Sequence, residues 1–217
     1  MQRMKMISNR YVRWLTMLVF AFAGAGVAQA QAQAVKPPDV LIKEVSTDVL
    51  EAVKADTSIR AGDVEKVIAL VDAKVMPYVD FQRMTASAVG RYWRQASPEQ
   101  QKRLQEEFKI LLVRTYSGAL AQVKNQTVQL KPMRSSPQDT EVIVRTEVRG
   151  SGSDPIQLDY RLEKSPAGWK IYDVNVLGVW LVQNYRNSFA QEIGANGVDG
   201  LIAKLAERNK AAGATKR

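Results

Sequence analysis

Two residue types are missing altogether from the 217-residue sequence: cysteine and histidine. Without cysteine no disulfide can staple the fold, and no lipid can be attached through a thiol. Without histidine the commonest general base is gone, and with it the usual hydrolase triads and most zinc sites. An enzyme built on this chain would have to work with carboxylates. No acidic cluster has calcium-loop spacing. No glycine-rich loop joins a strand to a helix, because Gly150-Ser151-Gly152 lies between two strand patterns and reads as a hairpin turn. Neither a metal nor a cofactor is expected.

Long apolar runs are also scarce. The only one, Trp14 to Val27, falls short of the ~20 residues that span a bilayer. Arg3, Lys5, Arg10 and Arg13 precede it with no acid among them, and Ala28-Gln29-Ala30 follows it. Charged start, apolar middle and small-residue exit predict a secretory signal peptide over residues 1–30. Ala30-Gln31-Ala32 offers a second cleavage register, and an uncleaved anchor is the alternative. Removing the four basic residues lowers the formal charge from +9 to +5. The remaining excess is scattered and suits solubility. It lacks the dense basic stripe of a nucleic-acid binder, so no nucleic-acid partner is expected.

Residues 31–38 read as a flexible leader, 39–209 as one domain and 210–217 as a frayed tail. The helical part is expected over 39–124. Ile42, Val45, Val49 and Val53 recur at helical spacing behind a capping Asp39. Val64, Val67, Ile68, Val71 and Val75 mark a second helix starting at Asp63 and halted by Pro77. Asp80 opens a short helix containing Phe81, Met84 and Ala88, closed by Gly90. Ser97-Pro98-Glu99-Gln100 is a capping box for a central helix to about Lys124.

The period then changes to two. Val142, Val144, Thr146 and Val148 alternate with charged residues, as do Ile156, Leu158, Tyr160 and Leu162. With the runs at Val128–Leu130 and Trp169–Val176, these predict an antiparallel sheet over 126–176 with one dry face. Two helices over 180–209, separated at Gly194 to Gly197, close an α+β domain. Asp173, inside an apolar strand, calls for a salt bridge or hydrogen bonds, and a catalytic carboxylate is the alternative. The many aromatic residues fit either a packed core or an adaptable pocket.

Tyr78-Val79-Asp80-Phe81, Gly90-Arg91-Tyr92-Trp93, Ala96-Ser97-Pro98-Glu99-Gln100-Gln101 and Tyr116-Ser117-Gly118-Ala119-Leu120 follow one another in order. Trp169-Lys170-Ile171-Tyr172-Asp173-Val174, Gly178-Val179, Asn184-Tyr185-Arg186 and Gly197-Val198-Asp199-Gly200-Leu201-Ile202 come after them. Their order and spacing resemble the MlaC family, also known as toluene-tolerance ABC-transporter auxiliary proteins. The resemblance covers nearly all of the chain beyond the leader. It departs at Leu177, where many members carry an acid, and at Trp180, where a small polar residue is common.

The resemblance implies a monomeric shuttle in the periplasm of a Gram-negative bacterium. Its fold would be a strongly curved, four-stranded, nuclear-transport-factor-like (NTF2-like) sheet, wrapped by about six or seven helices around an apolar pocket. Its cargo would be phospholipid. Its partners would be an outer-membrane lipoprotein-porin complex and an inner-membrane ABC transporter with its substrate-binding ring. The pattern nominates Phe81, Met84, Tyr92, Leu112, Tyr116, Leu120, Val144, Tyr160, Leu162, Ile171, Val174 and Val179 as pocket residues. Arg91 and Arg94 are candidates for a lipid phosphate or an acidic partner, with plain solvated arginines as the alternative. Two other readings stand beside this one: an enzyme of the same fold with Asp173 as a base in an apolar cone, and a periplasmic adaptor that binds only proteins.

Overall fold

The computed structural model describes residues 35–136, 138–150 and 154–214. The expected signal peptide lies outside them. Among the described residues no helix is long and apolar enough to cross a membrane.

Helix α1 spans Pro38–Ala55. Pro38 takes its first turn, so Asp39 sits inside the helix rather than capping it, and Pro37 stands at the cap. The fixed φ of proline suits that first position. A short helix, α2 (Thr57–Arg60), follows under an Asp56 cap. Helix α3 (Val64–Lys74) is capped by Asp63, whose side chain accepts from the Glu65 and Lys66 amides. A 3-10 turn at Met76–Tyr78 absorbs Pro77. Asp80 then caps α4 (Phe81–Val89), and Gly90, at φ 66°, ends it. The Ser97–Gln100 capping box opens α5 (Pro98–Leu120), which stops short of Lys124.

The sheet is antiparallel in the order β1-β2-β3-β4-β5. Its strands are β1 (Thr127–Leu130), β2 (Glu141–Arg149), β3 (Ile156–Ser165), β4 (Gly168–Val176) and β5 (Val179–Trp180). The α+β class holds, but the sheet has five strands, not four. The extra strand arises because the chain folds back after Val176 through Leu177 and Gly178, at φ 51° and 89°. Both centres of a tight two-residue hairpin need positive φ. Gly178 advertises such a turn and Leu177 hides it.

Six α-helices are present among the described residues. The last, α6 (Leu181–Ala214), passes through Gly194 and breaks only at Gly197, with φ 72° and ψ −179°. It runs on past Asn209 to Ala214, where a frayed tail was expected. Two lysines of α1 reach the sheet margin. Lys43 donates to the Val128 carbonyl, and Lys54 donates to that of Gln126 at 2.9 Å.

The interior is divided into three buried clusters. One joins α4, α5 and α6 around Phe108, whose ring stands edge-on to Tyr185 and Phe189. A second packs Leu41, Ile42 and Val45 of α1 on Val142, Val144, Leu162, Trp169 and Ile171 of the sheet. The third joins α1, α2, α3, the end of α5 and Val128 of β1.

Candidate functional site

Residues paired across antiparallel strands share a face of the sheet. Val142 pairs with Leu162, Val144 with Tyr160, Thr146 with Leu158, and Val148 with Ile156. Tyr160 also pairs with Val174, Leu158 with Val176, and Val176 with Val179. These residues therefore make one almost wholly apolar face. Along β3 and β4 its burial falls from end to end, while on β2 Val144 and Thr146 stay sealed at 1% and 0%. Under α1 the face is sealed, with Leu162 at 0% exposure. Further along, Tyr160, Leu158, Val174, Val176 and Val148 are half-buried. At the far end Ile156 and Val179 are 37% and 47% exposed.

A helix carries a matching stripe. Leu112, Tyr116 and Leu120 recur every fourth residue on α5, so they lie along one side of it, and all three are half-buried. Val49 of α1 and Val182 of α6 are half-buried too. Polar groups on the sheet face keep polar company. Burial pushes the Tyr160 hydroxyl's pKa up, and the hydroxyls of Ser46 on α1 and of Thr146 oppose that rise. The Thr146 hydroxyl donates to the Leu158 carbonyl at 3.0 Å. Burial also raises Tyr116, which lies near Tyr185. This surface offers apolar area and no charge.

The twelve nominated residues divide accordingly. Val144, Tyr160, Leu162, Ile171 and Val174 come together on the sheet, and Leu112, Tyr116 and Leu120 share α5. Met84, Val144, Leu162 and Ile171 are buried members of the core clusters and have almost no surface left for a ligand. Phe81 and Tyr92 pack against the α4–α5–α6 cluster, with the Phe81 ring 5.8 Å from that of Phe108. Val179 is exposed at the end of the apolar face rather than enclosed. Leu158, Val176 and Val148 belong with Tyr160 and Val174 but were not nominated. The alternation in β2 and β3 would have given Leu158 and Val148.

The opposite face of the sheet is polar. Asp173 lies there, paired with Arg161, so it is not a base in an apolar cone. It is 2% exposed. Its Oδ1 accepts from the amides of Val174 at 2.9 Å and Val182 at 3.1 Å. Its Oδ2 accepts from Arg161 at 3.2 Å. Burial outweighs these partners and raises its pKa. The bond from Val182 ties the start of α6 to β4, and that from Arg161 ties β3 to β4. Arg161 in turn lies 3.9 Å from the centre of the Trp180 ring, which gives that tryptophan a structural partner.

An open cleft of about 640 Å³ on this side is lined by Arg134, Asp139, Glu141, Arg145, Arg161 and Tyr172, among others. Arg83 closes on it, bonded to Glu141 at 2.7 Å and stacked 3.7 Å over Tyr172. Arg91, a candidate for phosphate, stacks on its neighbour Tyr92 and donates to its hydroxyl at 2.9 Å. Among the described residues no group of three or more acidic side chains is placed to hold a metal ion.

Known proteins are similar to this chain. A phospholipid-binding protein from Ralstonia solanacearum, solved in complex with a phospholipid, is 49% identical with a TM-score of 0.79. That match covers 82% of this chain and 99% of the other. The intermembrane phospholipid transport system binding protein MlaC of Haemophilus influenzae is 24% identical over 196 residues, covering 89% of this chain and 91% of the relative. The toluene tolerance protein ttg2D of Pseudomonas putida is 28% identical over 186 residues, covering 82% and 86%. The family model described as MlaC protein matches residues 43–207, and the chain belongs to that family.

Proposed function

We propose that this protein is a periplasmic carrier that takes a phospholipid into the space between the apolar sheet face and the α5 stripe. The graded burial of that face carries the reading. It is sealed beneath α1, half-buried at Tyr160, Leu158, Val174 and Val176, and open at Ile156 and Val179. Acyl chains lie along the half-buried stretch, against Leu112, Tyr116 and Leu120, and the headgroup stays in water. The relative with bound phospholipid, alike over nearly its whole length, supports the assignment.

The physical need is large. Each methylene moved out of water gains ~0.8 kcal/mol, so two chains of roughly thirty methylenes in all would cost on the order of 20 kcal/mol unshielded. Shielding them needs apolar surface, not catalysis or a cofactor. Residues 1–30 serve as the export signal, and an Mla-type lipoprotein-porin complex and ABC transporter are the two partners with which the protein exchanges lipid.

The test is mass spectrometry of gently purified protein, wild type and Leu158→Glu. Wild type should carry near-stoichiometric two-chain phospholipid. The variant, if its circular dichroism is unchanged, should lose most of it. A lipid-free wild-type protein would sink the proposal.

A further inference from the structure

The β4–β5 hairpin has an odd tip. Leu177 is the only non-glycine residue at positive φ among those described, and it is 65% exposed. Such a backbone suits asparagine or glycine, and such exposure suits a polar side chain. Leucine is the worse choice on both counts. The tip is not loose either. The Leu177 amide donates to the Gln157 carbonyl at 3.1 Å, and the Gly178 amide donates to Asn175 Oδ1 at 2.8 Å. The conformation is therefore held by its surroundings, and the apolar side chain is kept in water by a rigid turn.

Its position gives this a use. Val179, next to the tip, pairs with Val176, and Val176 pairs with Leu158. Ile156, two residues from Leu158 on the same face, is the other exposed apolar residue there. Val179 and Ile156 thus continue the apolar face outward beyond its half-buried stretch, and Leu177 adds an exposed apolar side chain at the tip beside them. An acyl chain entering or leaving along this line meets apolar surface before it has left water completely.

We infer that the Leu177–Val179 hairpin is the lip over which acyl chains pass, so that it sets the rate of lipid exchange and not the amount held. This rests on the carrier reading. A lip touches the chain in passage and leaves it when the cargo is seated. Replacing it should therefore slow entry and exit together and leave their ratio alone.

The experiment uses the whole chain with a single-chain phospholipid, fluorescently labelled and kept below its micelle concentration, followed by stopped flow. Leu177→Asn and Val179→Thr are compared with wild type. Leu177→Asn should melt at or above the wild-type temperature, because asparagine accepts the turn. Both variants should show association and dissociation each slowed about fivefold to tenfold, with Kd unchanged. Unchanged rates in both would overturn the lip. So would a weaker Kd at unchanged association, which would make these residues part of the seat. Slowing seen only with labelled lipid presented in phosphatidylethanolamine–phosphatidylglycerol vesicles would also overturn it, since the tip would then touch membrane rather than cargo. Failure of the carrier reading looks different: wild type itself would take up no labelled lipid.

Discussion

At the residue scale, Asp173 shows how a suspicious carboxylate becomes a structural one. It is buried, and burial raises its pKa in spite of Arg161 and two amides. Its folded state therefore holds a proton more tightly than the unfolded chain does. Between the ordinary aspartate value and the raised one, this group's contribution to stability falls as pH rises, and above the raised value it is level. Asp173→Ala should cost about 2–4 kcal/mol, because it orphans two amides and a guanidinium. Asp173→Asn should cost less, and its deficit against wild type should shrink as pH climbs through that window. Urea unfolding at a series of pH values measures both. A second residue-scale conflict is at Leu177, where the left-handed backbone costs about 1 kcal/mol.

At the element scale, Gly197 divides α6 into two arms. A Cβ there would meet nothing within 4 Å, so space is no obstacle. The backbone is, since φ 72° with ψ −179° belongs almost wholly to glycine. Gly197→Ala should lower stability by about 1–3 kcal/mol in thermal or urea unfolding, while Gly194→Ala, inside the helix, should not. Most elements were legible in sequence because their ends are chemically local. Asp63, Asp80 and Ser97 cap, and Gly90 stops, through groups a few residues away. The fifth strand was not legible, because leucine carries no signal for positive φ. The site was legible only as a face. Alternation puts Val144, Tyr160 and Leu162 on one side of the sheet. Which of them is sealed and which is open depends on how far α1 reaches across it, and no local pattern encodes that. Met84 reads like Tyr116 for the same reason, yet packs fully against α5 and α6.

At the scale of the whole molecule, the carrier reading has the buried clusters leave apolar surface for cargo to complete. Lipid should therefore stabilise the folded state by mass action. At a free lipid concentration a hundred times Kd the gain is about 2.7 kcal/mol. For a domain of this size that is a rise of roughly 5–10 °C in Tm. Calorimetry of delipidated and reloaded protein measures it, and no shift on reloading would count against an unfilled interior. The sheet margin has a different consequence. An open sheet offers its outermost strands to any other chain that can pair with them. Here β1 has only four residues, Lys43 and Lys54 place ammonium groups on carbonyls at its start, and Lys131 and Pro132 follow it. The other margin is the two-residue β5 and the stretch of β4 beyond it, where Val79 bridges to Ile171 and the Asp80 amide donates to the Ile171 carbonyl at 2.8 Å. On the carrier reading, a protein that exposes oily surface in its work keeps its backbone edges closed to copies of itself, and crowding should yield no stacked, fibrillar assemblies.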